Sequence, residues 1–397
     1  IKIGFEKALS AIIDGNVTTL IAAVVLYIKG SGTVMGFAQT LAIGIILSMF
    51  TAIFVTRWIL YAFVGLGFDD VKFYGIQKAR KPINFVGNIK KYAIISGCLL
   101  LLCIGGLVMN MVKMGQPLNY SLEFLGGSST SITFTDYKGE GFDASGNASA
   151  DFKNEVTDVV KSAANVSEAE LSDVSGEKTL IVRTPAFTED QQKKVIAAVE
   201  EKYGVSDKSI EVETISASVS NEMRMDAIVA VLIAAVGMLI YIWIRFKNLA
   251  FGASSVIALL HDVMVVLMVY AIGSASITVG STFIACMLTI VGYSINATIV
   301  VFDRVRENRK KLGNTDLAEI VNTSITETLS RSFNTSITTL VMVLCLAVLG
   351  VDSIRQFAVP MMAGIISGCY SSVCIAGCLW YDLKNALDKR KAKKTSK

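Results

Sequence analysis

The sequence predicts a polytopic α-helical membrane protein carrying one inserted extracytoplasmic α+β domain. Three observations predict it: a run of long apolar stretches, one polar and acidic segment between two of them, and an internal repeat among the stretches themselves. Of the 397 residues, 53% are hydrophobic and only 18% charged, with a mean hydropathy of +0.56. A water-soluble chain of this length carries more charge.

Eight stretches are expected to cross a bilayer, near 11–29, 38–62, 92–112, 226–245, 251–272, 278–301, 332–350 and 356–380. A span needs about 20 mainly apolar residues at about 1.5 Å rise per residue. In lipid only a helix satisfies its own backbone over such a length, so each stretch is expected to be helical.

Charge orients the spans. Lys384, Lys389, Arg390, Lys391, Lys393, Lys394 and Lys397 crowd the C-terminus, and Arg57, Lys72, Lys78, Arg80, Lys81, Lys90 and Lys91 lie at or between the second and third spans. With eight alternating crossings, the basic segments 63–91, 245–250, 302–331 and 381–397 fall on one side. By the positive-inside rule that side is cytoplasmic, with both termini. Residues 113–225 hold 19 acidic against 11 basic residues and fall on the other side. Basic clusters flanking spans read as orientation signals and not as a nucleic-acid surface. All seven cysteines (Cys98, Cys103, Cys286, Cys345, Cys369, Cys374 and Cys378) lie in predicted spans, which argues against a disulfide framework or cysteine metal site.

Sliding the chain by 320 positions aligns 9–54 with 329–374 without a gap. Leu9-Ser10 falls on Leu329-Ser330, Thr18-Thr19-Leu20 on Thr338-Thr339-Leu340, and Gly30 on Gly350. Phe37-Ala38 falls on Phe357-Ala358, and Gly44-Ile45-Ile46 on Gly364-Ile365-Ile366. A shared Thr-Thr with glycines and an aromatic in one register points to duplication. Both copies cross outward and return, so the repeat is parallel, with its axis along the membrane normal, and working residues are expected between the halves. The second half has six spans from 92–112 onward. The first shows only the last two of that plan, which predicts four further spans and a first soluble domain upstream.

Residues 118–134 read as strand, Gly-Gly turn and strand. The Gly-rich stretch 135–150 reads as a mobile loop. Helices are expected over 151–164 and 189–203, the second closed by Gly204, and strands over 179–184, ended by Pro185, and 209–215. This ββ-α-β-α-β order suits a small ferredoxin-like sandwich. The domain has no catalytic triad, metal-ligand spacing or phosphate loop, so no enzymatic site or cofactor is expected in it.

Ionisable groups within spans are candidates for function by default. The repeat puts Asn334 at the position of Asp14, with Arg331 one turn earlier, so Asp14 and Arg331 are placed to approach across the pseudo-twofold interface. They read either as a proton-exchanging pair or as groups at the headgroups, with Arg331 snorkelling. His261 and Asp262 read either as a proton-transfer pair or as an interhelical hydrogen bond. Asp303, Arg304, Arg306 and Glu307 read as the charged cytoplasmic end of a span. Gly292, Ser294, Asn296 and Thr298 make the 278–301 span small and polar, for close packing or for a hydrated path.

Gly292-Tyr-Ser-Ile-Asn-Ala-Thr-Ile-Val-Val-Phe-Asp-Arg-Val-Arg-Glu-Asn308 resembles the signature of SecF. Leu-His-Asp-Val at 260–263, Leu-Ser-Arg-Ser-Phe-Asn-Thr-Ser-Ile-Thr-Thr-Leu at 329–340 and Leu-Asn-Tyr-Ser-Leu-Glu-Phe-Leu-Gly-Gly at 118–127 fit the same family. Residues 4–57, with Ile-Ile-Asp-Gly-Asn-Val-Thr-Thr-Leu-Ile-Ala-Ala and Ser-Met-Phe-Thr-Ala, look like the end of SecD, joined as in fused SecDF proteins. The resemblance divides the chain into the last two SecD-like spans (1–65), a cytoplasmic linker (66–90), a first SecF-like span (91–112), the extracytoplasmic domain (113–225), a five-helix SecF-like bundle (226–380) and a basic cytoplasmic tail (381–397).

What the resemblance implies is an RND-superfamily fold in the bacterial cytoplasmic membrane. The partners it implies are the Sec translocon channel, unfolded preproteins and the missing SecD-like half. The resemblance implies an accessory subunit of the Sec translocon that assists preprotein translocation, a proton gradient or another coupling ion driving movement of the outer domains, with no cofactor. Asp14 and Arg331 fall on family positions tied to proton conduction. The family pattern reads Ile-Asn-Asp-Thr where this chain has Ala297, so the proton-carrying carboxylate is absent here. A small-molecule exporter of the RND type would need larger outer domains. A non-transporting assembly factor is the other alternative.

Overall fold

The computed structural model describes all residues except 30–31, 71–72, 74–80, 136, 138, 140, 144–145, 168, 175–177, 247–248, 314 and 396–397. Lys72, Lys78, Arg80, Lys397 and the repeat glycine Gly30 therefore lie outside the described residues. Two compact units are present, Ile1–Asn119 with Ala227–Lys397, and Tyr120–Asp226.

The first unit is helical. It contains α1 (Lys2–Lys29), α2 (Gly32–Phe50, continued through a π turn at Thr51–Val55 into Thr56–Gly65) and α3 (Ile89–Met114). Among the described residues seven helical stretches are long and apolar enough to cross a membrane: Met35–Gly65, Val86–Met114, Ser218–Arg245, Ala250–Ile272, Ser281–Lys311, Leu317–Leu349 and Ile354–Lys389. The first of the eight expected spans is represented by a shorter apolar segment, Ile12–Ile28, inside α1.

In the second unit, β1 (Gly127–Thr133), α4 (Ala150–Ala164), β2 (Glu170–Val174), β3 (Thr179–Thr184), α5 (Glu189–Tyr203) and β4 (Ile210–Ile215) follow in β-α-β-β-α-β order. The sheet order is β2-β3-β1-β4 with every pair antiparallel. Two details differ from the sequence expectation. Leu122–Leu125 is a helical turn, not a strand, because Ser121 is extended before it and Gly126, at φ 74°, stops it. The edge strand Glu170–Val174, Glu-Leu-Ser-Asp-Val, carries too little apolar alternation to be read in advance.

The core of this unit lies between sheet and helices, with Ile132, Val156, Val160, Leu180, Val182, Val195 and Val199 fully buried. The described part of 135–150 is packed and not loose. Tyr137 and Phe142 join Phe134, Phe152 and Tyr203 in one aromatic cluster, and Phe142 bridges to Ala148. Each ring brings large apolar area and favours edge contacts with its neighbours. Burial, with Glu155 beside it, pushes the Tyr203 phenol well above its ordinary pKa. Ser149 caps α4, and Thr188 with Gln191 forms a reciprocal capping box on α5. Gly204, at φ 64°, ends α5 as expected.

The remaining helices are α6 (Ala217–Phe246, in the first unit from Ala227 onward), α7 (Leu249–Ile272), α8 (Ser281–Lys311), α9 (Leu317–Leu349) and α10 (Asp352–Tyr370, continued through a π turn at Ser371–Ala376 into Gly377–Thr395). Their centre is α8, which buries residues from Ser281 to Asn308 and packs against α1, α7, α9 and α10. Small residues permit the approach: a Cβ at Gly292 would lie 3.1 Å from Thr19 Oγ1, and one at Gly15 would overlap the Asn296 side chain.

Candidate functional site

Asp14 sits on the buried face of α1, 6% exposed. Tyr241 donates its hydroxyl to Asp14 Oδ1 at 2.7 Å, and Arg245 Nε donates to Oδ2 at 2.6 Å. Tyr241 and Arg245 are four residues apart, so they share one face of α6. The guanidinium also reaches Asp303 Oδ2 on α8 at 3.5 Å. One arginine thus links carboxylates on two other helices. This geometry suits the planar, multi-donor guanidinium better than a lysine ammonium.

The expected approach of Arg331 to Asp14 is not found. Arg331 and Asn334 are exposed on α9, and α6 supplies the arginine instead. Asn296 and Ala297 are half-buried on α8, with Asn296 against Gly15 of α1. Sequence reasoning missed Tyr241 and Arg245. Their spacing at the end of an apolar span was the available signal.

A second polar centre lies on α7. Asp262 is wholly buried. Its Oδ1 accepts from Ser367 Oγ at 2.5 Å, and its Oδ2 accepts from Ser294 Oγ at 2.5 Å and Ser371 Oγ at 2.6 Å. His261 Nδ1 stands 3.1 Å from Oδ1. These contacts join α7, α8 and α10, and the π turn that starts at Ser371 begins where Asp262 is held. Ser367 and Ser371 were also missed, although their i, i+4 spacing puts both on one helix face.

Near the C-terminal end of α8, Arg304 binds Glu307 of the same helix and Glu327 of α9, each at 2.6 Å, and Asn308 donates to Glu327 at 2.7 Å. The segment before α3 docks there. Asn322 Oδ1 accepts from the backbone amides of Phe85 and Val86 at 2.9 and 3.0 Å, and Thr326 Oγ1 accepts from that of Ile83 at 2.9 Å. Among the described residues no group of three or more His, Cys, Asp or Glu is placed to hold a metal ion, and all seven cysteines are free thiols.

A family model described as "Protein export membrane protein SecD/SecF, C-terminal" matches residues 194–386. The chain is 33% identical over 312 residues to the protein translocase subunit SecF of Thermodesulfovibrio yellowstonii, covering 78% of this chain and 97% of that one. This chain belongs to the SecD/SecF family. It is also 32% identical over 404 residues to the protein translocase subunit SecDF of Bacillus subtilis, covering 95% of this chain and 51% of that protein. A crystal structure of SecDF, a translocon-associated membrane protein from Thermus thermophilus, superposes with a TM-score of 0.79 at 30% identity, covering 97% of this chain and 50% of that one. The chain therefore spans about half the length of the SecDF relatives it matches. It comprises a SecF portion with the C-terminal part of SecD, in a multi-pass membrane protein.

Proposed function

We propose that this chain is part of an accessory subunit of the Sec translocon, which draws unfolded preproteins across the bacterial cytoplasmic membrane using the proton motive force. Its termini are cytoplasmic, its β-α-β-β-α-β unit is a ferredoxin-like domain inserted on the outer side, and its direct partner is the translocon channel. The observation that carries this reading is the ionic chain Asp14–Arg245–Asp303 across α1, α6 and α8, with Asp14 buried and its two partners half-buried. Protonating Asp14 removes the charge that holds Arg245, leaving the guanidinium to Asp303. A proton is thereby converted into a change of contact between three helices. The helix that carries Arg245 begins two residues after β4, so its displacement is passed along the chain to the outer domain.

Arg331 enters this scheme from the repeat. In the first copy, the α1 face bearing Gly15 and Thr18 is covered. The matching residues on α9, Thr335 and Thr338, are exposed beside Arg331. The SecDF relatives are about twice as long as this chain. We place Arg331 opposite a carboxylate of their SecD half, in the role that Arg245 has for Asp14.

A second reading, a non-transporting assembly factor, is favoured by one residue: Ala297 stands where the family carries its acid. The test uses the SecDF-length protein in proteoliposomes with the translocon, comparing late-stage export with and without an imposed proton or sodium gradient. Parent, Asp14→Asn and Ala297→Asp are run together. Motor function predicts gradient-stimulated export in the parent that Asp14→Asn abolishes. A response in Ala297→Asp alone makes the parent an uncoupled motor. No response in any version to either ion leaves the assembly role.

A further inference from the structure

The Asp262 centre has a feature that the Asp14 chain lacks: among the described residues its carboxylate has no lysine or arginine beside it. Three serine hydroxyls have turned their single protons toward it, so both of its oxygens are already occupied as acceptors. Protonating Asp262 would force one of those donors away. His261 Nδ1 is the fourth group on the carboxylate, so the ring carries its proton on Nδ1 and donates it. The lone pair is then on Nε2, at the far edge of the ring.

His261 is 6% exposed, and its Nε2 is buried with no hydrogen-bond partner among the described residues. The residue lines a cavity of about 410 Å³ between α3, α7 and the end of α10, along with Tyr92, Ser96, Met264, Cys374 and Leu379. Among the described residues the titratable groups facing the ring are few. They are Asp262 on its own helix, Tyr370 on α10 with its ring 5.8 Å away, Tyr92 on α3 and Cys374 in the π turn. Ser96 and Tyr370 hydroxyls lie 3.3 Å apart at the same wall, so the otherwise apolar cavity has one polar corner. No lysine, arginine or glutamate is among its described lining.

We propose that His261 is a second proton-binding site of this chain, loaded at Nε2 from this cavity, with Asp262 as its fixed counter-ion and not as the carrier. Loading transfers one proton from a hydronium ion that reaches the cavity to the Nε2 lone pair, breaking that O–H bond and leaving neutral water. The Nδ1–H bond to Asp262 is kept, and no other bond changes. Unloaded, the pair buries one negative charge softened by hydroxyl dipoles and the neutral ring's Nδ1–H, with no cation beside it among the described residues. Loaded, it is a neutral imidazolium–carboxylate pair, the better buried arrangement. Because Asp262 ties α7 to α8 and to the π turn of α10, the charge state of His261 is felt at three helices. The use of such a site rests on the proton-driven reading above, but its existence is tested without export.

His261 is the only histidine in this sequence, so its ring is directly readable. The protein is labelled with [15N]histidine in lipid nanodiscs, and the resonance missing from His261→Gln is followed from about pH 5 to about pH 9, the range that brackets an ordinary imidazole. The expected result is a reversible titration in which Nε2 alone gains its proton and Nδ1 stays protonated throughout. Ser96→Trp, which fills the cavity, slows or abolishes that exchange. Asp262→Asn moves the midpoint to lower pH. Should that variant not fold, Ser367→Ala, which leaves the carboxylate less screened, moves it to higher pH. A ring that stays neutral at every pH, or a titration indifferent to both carboxylate-side variants, overturns the proposal. If the ring titrates while export ignores every gradient, the site stands and the motor reading fails.

Discussion

Phe37 and Phe357, residues 320 positions apart that the repeat makes equivalent, pack ring to ring with centroids 5.6 Å apart and planes at 64°. Equivalent residues meet each other only near the axis that relates two copies, so this contact marks where the halves are joined. Edge-to-face pairs are worth about 0.5–1.5 kcal/mol beyond the area they bury. A double-mutant cycle with Phe37→Leu and Phe357→Leu, read by thermal unfolding in detergent, is expected to give a coupling energy in that range. Additive effects of the two changes would show that the rings touch without joining the halves.

Arg245 spans two carboxylates, and its geometry is selective. Arg245→Lys keeps the charge but cannot present Nε to Asp14 while reaching Asp303. It is expected to lose most gradient-stimulated export while retaining folding. Tyr241→Phe removes a neutral donor only and is expected to have the smaller effect, since hydrogen bonds to charged groups contribute about 1.5–3 kcal/mol and the ion pair remains. The rates in parallel export assays order the three proteins; Tyr241→Phe below Arg245→Lys would contradict this ranking of roles.

The helical frame was legible because lipid imposes one rule on every span, and apolar stretches of the required length stand out in the sequence. The repeat was legible for the same reason that its phenylalanines now touch: both copies kept the residues of their shared interface. What stayed hidden was partnership. Asp14 reads as an intramembrane acid from its position alone, but its arginine comes from α6, outside the repeated segment, so no register pointed to Arg245. Asp262 was visible, while two of its three serine donors lie over 100 residues away on α10, where single serines look like packing residues. In the α+β unit, Glu170–Val174 pairs with one neighbour only, and such an edge strand needs little of the alternation that identifies a central one.

Gly15 and Asn296 define how closely α1 approaches α8. The methyl group of Gly15→Ala would overlap the amide of Asn296, and overpacking of this kind costs about 1–3 kcal/mol. Gly15→Ala is therefore expected to lower the unfolding temperature and to disturb the neighbouring Asp14 pair. Asn296→Ala in the same chain makes room for the methyl group and is expected to restore most of the loss. If the double variant is as unstable as Gly15→Ala alone, the overlap with Asn296 is not the cause.

Asn322 holds the segment that leads into α3 by accepting from two consecutive backbone amides with a single oxygen, while its own amide donates to Asn84 Oδ1 at 3.3 Å. Phe85 is buried at this junction and Val86 half-buried, so those two amides are partly shielded from water while the flanking residues are exposed. Asn322→Ala leaves both half-shielded amides without their acceptor, each losing a hydrogen bond worth about 0.5–1.5 kcal/mol. Asn322→Asp keeps an acceptor for both and gives up only the weaker donation to Asn84. Limited proteolysis between residues 81 and 88 is expected to speed up several-fold in Asn322→Ala and to change little in Asn322→Asp. Equal cleavage of the two variants would mean that Phe85, through its apolar contacts, anchors the segment and the shared oxygen does not.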